Sequence, residues 1–182
     1  EGIEAGRVNA TFALAGTRLH AEASAPALAV SARGDLDTRE PYRYEADARL
    51  DRANIPALVP PGLRERAGVS EGIVSGTLRA RGTLREALPA SADVHLEQLD
   101  AVVNGTRVVL DAPAAVAWTP SRVTVGDLGL RIGHGARARL SGSLAEAPTG
   151  DRLRLTADSP LSELVALAGP LLPAGMRSAA DG

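Results

Sequence analysis

The sequence predicts a mainly β protein: half-exposed antiparallel strands in an extended, repeating architecture, interrupted by short helical inserts. Three observations carry this. Apolar and polar residues alternate through most of the chain, the period of a strand with one apolar and one wet face. The chain also repeats itself, since Glu1-Gly2-Ile3-Glu4-Ala5-Gly6-Arg7-Val8-Asn9-Ala10 returns as Glu71-Gly72-Ile73-Val74-Ser75-Gly76-Thr77-Leu78-Arg79-Ala80 with glycines, isoleucine and closing alanine in register. Finally, turn residues punctuate the alternating runs. Repetition on this scale points to a long surface built by adding units, not to one globular active site.

Taken in order, Val8, Ala10, Phe12 and Leu14 alternate against Arg7, Asn9 and Thr11. Tyr42, Tyr44, Ala46, Ala48 and Leu50 alternate against Arg43, Glu45, Asp47 and Arg49, and Val74, Leu78 and Ala80 against Ser75, Thr77, Arg79 and Arg81. Both sets are expected on one face of one sheet. Val94 and Leu96 oppose Asp93, His95 and Glu97, and Leu153 and Leu155 oppose Arg152 and Arg154. From Ala90 to Leu144 the pattern is a meander, in which Asn104-Gly105 suits a type I′ hairpin turn, while Thr119-Pro120-Ser121 and Gly133-His134-Gly135 mark further reversals. The alternation fails over Asn54 to Arg66 and again over Ser159 to Ala168, where Leu161, Leu164, Val165 and Ala168 take helical spacing after Ser159-Pro160. Leu161 to Arg177 echoes Ile55 to Arg66 in its Leu and Pro content.

The units follow: residues 1–70 form a first, partial unit with an insert near 54–66, and 71–180 a second with a meander and a helix near 160–168. Asp181-Gly182 opens a third. The chain is expected to be a piece of a longer one.

Composition narrows the function. With 20 Lys+Arg against 22 Asp+Glu there is no basic stripe for a phosphate backbone, so nucleic acid is not an expected partner. Aromatic residues make up 2% of the chain against 45% hydrophobic, which leaves aliphatic surface and no stacking platforms. Cys 0 removes thiol chemistry and the usual structural zinc sites. No apolar run reaches the roughly 18 residues that span a bilayer, so any membrane contact is expected through other parts of a full-length chain.

No catalytic constellation emerges, and neither enzyme activity, cofactor nor metal is expected. His20, His95 and His134 stand alone in sequence, the first two on wet strand faces and the third in a Gly turn. Acids alternate with Arg on strand faces, which cross-strand pairing explains more simply than acid/base chemistry. Gly133-His134-Gly135 lacks the third Gly and the helix of a dinucleotide site. What remains is an apolar stripe: Val8, Phe12, Leu14, Leu28, Val30, Tyr42, Tyr44, Leu50, Val74, Leu78, Val94, Leu96, Leu140, Leu153 and Leu155. An ordinary sandwich core would also account for it, but the units repeat without Greek-key variety and the inserts are too short to cover the sheet.

These repeats resemble the AsmA-like superfamily, most closely the TamB-type translocation and assembly module proteins. Asn54-Ile55-Pro56-Ala57-Leu58-Val59-Pro60 is similar to the family's helical insert, and Gly72 to Leu78 with Ala80, Gly82 and Leu84 to its unit-opening strand. Val123 to Leu130 followed by Ala138-Arg139-Leu140-Ser141-Gly142-Ser143-Leu144 is similar to its closing pair. The resemblance implies an elongated, twisted antiparallel sheet curled into a U-shaped hydrophobic trough. It further implies phospholipid carried on acyl chains between the inner and outer membranes, across the periplasm of a Gram-negative bacterium, by a protein anchored in the inner membrane. The apolar stripe would line the groove. Two other readings stay open: a scaffold for outer-membrane barrel proteins that pairs its edges with client strands, and a purely structural β-repeat.

Overall fold

The computed structural model describes residues 6–60, 62, 64–65, 68–133, 135–145 and 152–158. They form one antiparallel sheet of 11 strands. In chain order these are β1 (Asn9–Ala15), β2 (Arg18–Ala25), β3 (Val30–Asp37), β4 (Arg43–Asn54), β5 (Val69–Thr83) and β6 (Ser91–Val103). They continue as β7 (Thr106–Leu110), β8 (Ala114–Thr119), β9 (Arg122–Ile132), β10 (Ala136–Ala145) and β11 (Leu153–Asp158). Each strand pairs with its sequence neighbours, except that β7 and β8 both lie between β6 and β9, as one strand broken at residues 111–113. The connectivity is therefore a meander with β1 and β11 at its edges.

Two-residue reversals follow from local chemistry. Gly16 at φ 61 starts the β1–β2 turn, and Asn104 and Gly105, at φ 51 and 75, supply the two left-handed residues of a type I′ turn between β6 and β7. The expected insert begins with α1 (Ile55–Leu58), with Pro56 in its first turn, and residues 62, 64 and 65 are also helical. A 3-10 turn occupies Pro26–Leu28. The helix expected near 160–168 and the third unit at 181–182 lie outside the described residues, as do His134 and residues 1–5 of the first repeat copy.

Directly opposed residues of an antiparallel pair share a face. Ala48 opposes Leu78 and Ala46 opposes Ala80, whereas Asp47 opposes Arg79 and Glu45 opposes Arg81. Charges and apolar residues thus sort to opposite faces, and the apolar face runs on through one row: Ala10, Ala23, Ala32, Ala48, Leu78, Val94, Val116 and Val125.

Long strands lose this sorting unless an extra residue restores the phase; four bulges interrupt the ladders, one between Val69 and Glu71 at the start of β5 and three nearer the middle of the strands. Leu50 and Ala53 of β4 oppose Gly76 and Val74; Leu96 and Leu99 of β6 oppose Gly76 and Val74 from the other side; Val125 and Leu128 of β9 oppose Gly142 and Leu140. The added residues are polar or small: Asp51-Arg52, Glu97-Gln98 and Gly126-Asp127. Arg52 sits at φ 54, and its N–H donates to the Ser75 hydroxyl at 2.9 Å.

Burial concentrates on the α1 side of these bulges. Ala53 is fully buried, and Ala101, Val108, Leu110, Ile132 and Ala136 are buried on the same face. A Cβ at Gly72 would meet Ile55 Cδ1 and Ala101 Cβ, both at 2.9 Å, so α1 closes down on the sheet there. Elsewhere no second layer covers the apolar face among the described residues, and none of their large side chains is fully buried. Among the described residues the stripe forms no sandwich core.

Three expectations need correction. Tyr42 lies in the turn before β4 at φ 58, so the alternating strand begins at Arg43. Leu28 is buried within the 3-10 turn, where Pro26 prevents a continuous strand from β2 to β3. Val8 precedes β1.

Gly76 tests the packing at the centre of the sheet. A Cβ there would lie 2.4 Å from the His95 carbonyl oxygen. Gly76→Ala is expected to destabilise the protein by about 1–3 kcal/mol, as overpacked positions do, measured by urea unfolding, whereas Gly105→Ala, with open space around it, should show no steric penalty beyond its left-handed backbone.

Candidate functional site: an open apolar face backed by a charge ladder

Strands β1 to β6 and β8 run side by side across the sheet. A cavity of about 1000 Å³ crosses these strands, bordered in each by three consecutive residues centred on Ala10, Ala23, Ala32, Ala48, Leu78, Val94 and Val116, so that residues of both faces, Glu22, Arg33, Asp47, Arg79 and Asp93 among them, contribute to its border. It follows a cross-strand row, so with strands ~4.8 Å apart it runs on the order of 29 Å across the sheet. A small-molecule pocket usually lies within one part of a fold; this one is a furrow of similar volume drawn out along the sheet.

Of the apolar stripe read from sequence, only Leu78 and Val94 border this cavity. Phe12, Leu14, Val30, Tyr44, Leu50, Val74, Leu96, Leu140, Leu153 and Leu155 share the sheet face by register but extend beyond the cavity. Leu14, Leu19, Leu36 and Tyr44 form a further row, directly opposed in turn. Sequence reading missed Leu19, Leu36, Val108, Leu110, Val116, Trp118, Leu130 and Ile132. The missed residues of β9 are recoverable from the polar or small doublets, because apolar parity changes across each one.

The opposite face carries a ladder of charges. Glu22, Arg33, Asp47, Arg79 and Asp93 are successive cross-strand partners of alternating sign. The Arg79 Nε–H donates to Asp47 at 2.8 Å, Arg33 lies 3.6 Å from Asp47, and Arg81 pairs with Glu45 at 2.8 Å. Further along, Arg107 forks onto Asp100, Arg131 reaches Asp111 at 2.7 Å and Arg139 reaches Asp127 at 3.0 Å. The hydrogen bond from Arg79 holds the Asp47 carboxyl below the usual carboxylate range, and that from Arg107 does the same for Asp100, each against a smaller desolvation effect.

His20 is not alone, contrary to expectation. Its ring nitrogens lie 3.4 Å from Glu22 and 3.3 Å from Asp35, and these hydrogen bonds, Glu22 first, raise its pKa. Glu22, two residues on along β2, shares its face by strand alternation, a signal the sequence contained. Asp35, its cross-strand partner, directly opposes Glu45, so His20 and Arg81 flank two adjacent carboxylates. No group of His, Asp and Glu among the described residues is arranged to hold a metal ion, and no helix among them is long and apolar enough to cross a membrane.

No protein-family model, curated protein or solved structure matches the chain. The site's own chemistry is a broad, wet-edged apolar surface on one side of the sheet and paired charges on the other.

Because the His20 pKa is raised above 6.5, its contribution to stability is complete below that value and fades as pH rises through the shifted pKa. Wild-type protein should lose melting temperature between about pH 6 and pH 8 relative to His20→Gln, whose melting should be flatter across that window. Identical pH profiles for the two proteins would contradict the pairing.

Proposed function

We propose that this chain is a segment of an AsmA-like, TamB-type protein that carries phospholipid between the inner and outer membranes of a Gram-negative bacterium, along the apolar face of a sheet curled into a U-shaped trough. The observation that carries the reading is the uncovered apolar face. Large aliphatic side chains at the centre of a 11-stranded sheet remain part-exposed, with Leu78 at 37% and Val94 at 38%, while the charged residues are sorted to the other side. A soluble domain of this size normally buries such a face against a second layer.

Physical chemistry gives the face a use. Each methylene kept from water is worth about 0.8 kcal/mol, so a two-chain lipid of ~30 methylenes faces on the order of 24 kcal/mol when it crosses water exposed. A continuous aliphatic surface removes most of that barrier without a catalytic group. Alanine and small aliphatics along the central row leave shallow relief, which lets a chain slide where a deep pocket would hold it. The segment under α1, packed around Ala53 and Ala101, is a stretch of the face that is already filled.

A polar block tests transport through this face. Val94 and Leu96 both point to it, so Val94→Asp with Leu96→Arg should stop lipid passage in the full-length protein, because a sliding acyl chain meets a desolvation cost of several kcal/mol. The fold should survive, since the face is already half wet; circular dichroism and melting check this, and lipid crosslinking beyond the block should disappear. Loss of cooperative folding would favour a closed core, and undiminished lipid transfer would exclude passage along this face.

A further inference from the structure

From β2 to β6, wherever an arginine of the charged face directly opposes another charged residue, that residue is an acid: Arg18 meets Asp37, Arg33 and Arg79 meet Asp47, and Arg81 meets Glu45. Between β9 and β10 the rule fails. Arg131 directly opposes Arg137, and on its other side Arg131 faces the uncharged Val109 of β7. Like charges so placed repel. Asp111 holds Arg131 through Nε at 2.7 Å, which leaves the two terminal nitrogens without an ion pair among the described residues. Arg137 has neither hydrogen bond nor ion pair among them, although Asp158 opposes it from β11.

A second cavity, of about 450 Å³, lies where these two arginines meet, bordered also by Arg107, Val109, Gly133 and Gly135. Three arginines border it and no carboxylate does. Local sequence accounts for the hollow. Val109, Arg131 and Arg137 are successive cross-strand partners, and the next row begins at Arg107, whose carbonyl accepts from the Gly133 N–H at 2.8 Å. Glycine at 133 and 135 leaves that row without side chains beyond Arg107, and a Cβ at Gly135 would meet nothing within 4 Å. Arg107 forks onto Asp100 through Nε and one terminal nitrogen, so its other terminal nitrogen is not used by that pair.

We propose that this hollow binds a phosphate group, free or as an ester, between Arg107, Arg131 and Arg137. An anion there turns the repulsion of Arg131 and Arg137 into attraction for a shared partner. The planar guanidinium fork matches phosphate oxygens, and the aspartates behind Arg107 and Arg131 hold both side chains in place while leaving donors free. Phosphate suits three arginines better than a carboxylate does, because a carboxylate's two oxygens are satisfied by a single fork. The site is on the face opposite the open apolar surface, so it goes beyond the conduit reading and stands independently of it.

NMR titration of the arginine Nε–H signals of the purified chain with inorganic phosphate, at constant ionic strength, tests the site. Saturable shifts are expected at Arg107, Arg131 and Arg137, and none at Arg49, an arginine of the same face that also has no ion pair among the described residues. Acetate at equal concentration should shift them less. Arg137→Gln breaks no contact among the described residues and should weaken phosphate binding about three- to tenfold. Gly135→Leu should weaken it by filling the hollow with every charge kept, and Arg137→Gln decides the matter if that variant fails to fold. Phosphatidylcholine vesicles with and without phosphatidic acid separate the sources: the same signals respond to phosphatidic acid if the site takes a lipid headgroup, and to inorganic phosphate alone if it takes the free anion. Equal shifts at every arginine, Arg49 included, or phosphate binding unchanged in the folded variants would overturn the proposal.

Discussion

The constraint on which the rest of this sheet depends is register. A single layer has little core to lock its strands in place, so their alignment is held by the sorting of side chains between two unlike faces. A slip of one residue between β4 and β5 would carry Asp47 and Glu45 to the side of Leu78 and Ala80, and would separate Asp47 from Arg79. Each exposed ion pair is worth little alone. What the alternating row from Glu22 to Asp93 supplies is discrimination against a one-residue slip, which would strand its charges among aliphatic residues.

Holding that sorting along strands as long as β5, β6 and β9 needs correction for phase, and the three bulges nearer the middle of the strands provide it. They fall at neighbouring positions across the sheet, together with the break between β7 and β8. Bulges increase local twist, so this line of irregularities divides the apolar face in two. On one side α1 and the buried Ala53, Ala101, Val108 and Ile132 form a packed anchor. On the other, Leu78, Val94 and the edge residues stay open.

The alternation of Arg43 to Leu50 was legible because nothing interrupts it, and so was the Asn104-Gly105 reversal, whose chemistry is entirely local. Tyr42 and Leu28 look like strand residues to a periodicity argument, yet a left-handed backbone at the first and a proline two residues before the second remove them from strands. Strict alternation cannot pass a bulge, so it leads to Leu96 and resumes at Leu140, but misses Val108, Leu130 and Ile132 between them. Adjacent polar or small residues inside an apolar alternation, as in Asp51-Arg52, Glu97-Gln98 and Gly126-Asp127, were the available sign of the phase change. The partners of His20 were legible only in part: Glu22 by spacing along one strand, Asp35 only once the β2–β3 register is known.

If the open face carries acyl chains, Leu78 and Arg79 should differ sharply in what they touch, since they are adjacent in β5 and point to opposite sides. The direct measurement is photo-crosslinking of phospholipid in the purified protein from a probe at either position. The account predicts crosslinked phospholipid from position 78 and essentially none from position 79; equal yield from both, or none from position 78 in protein supplied with lipid, would contradict it.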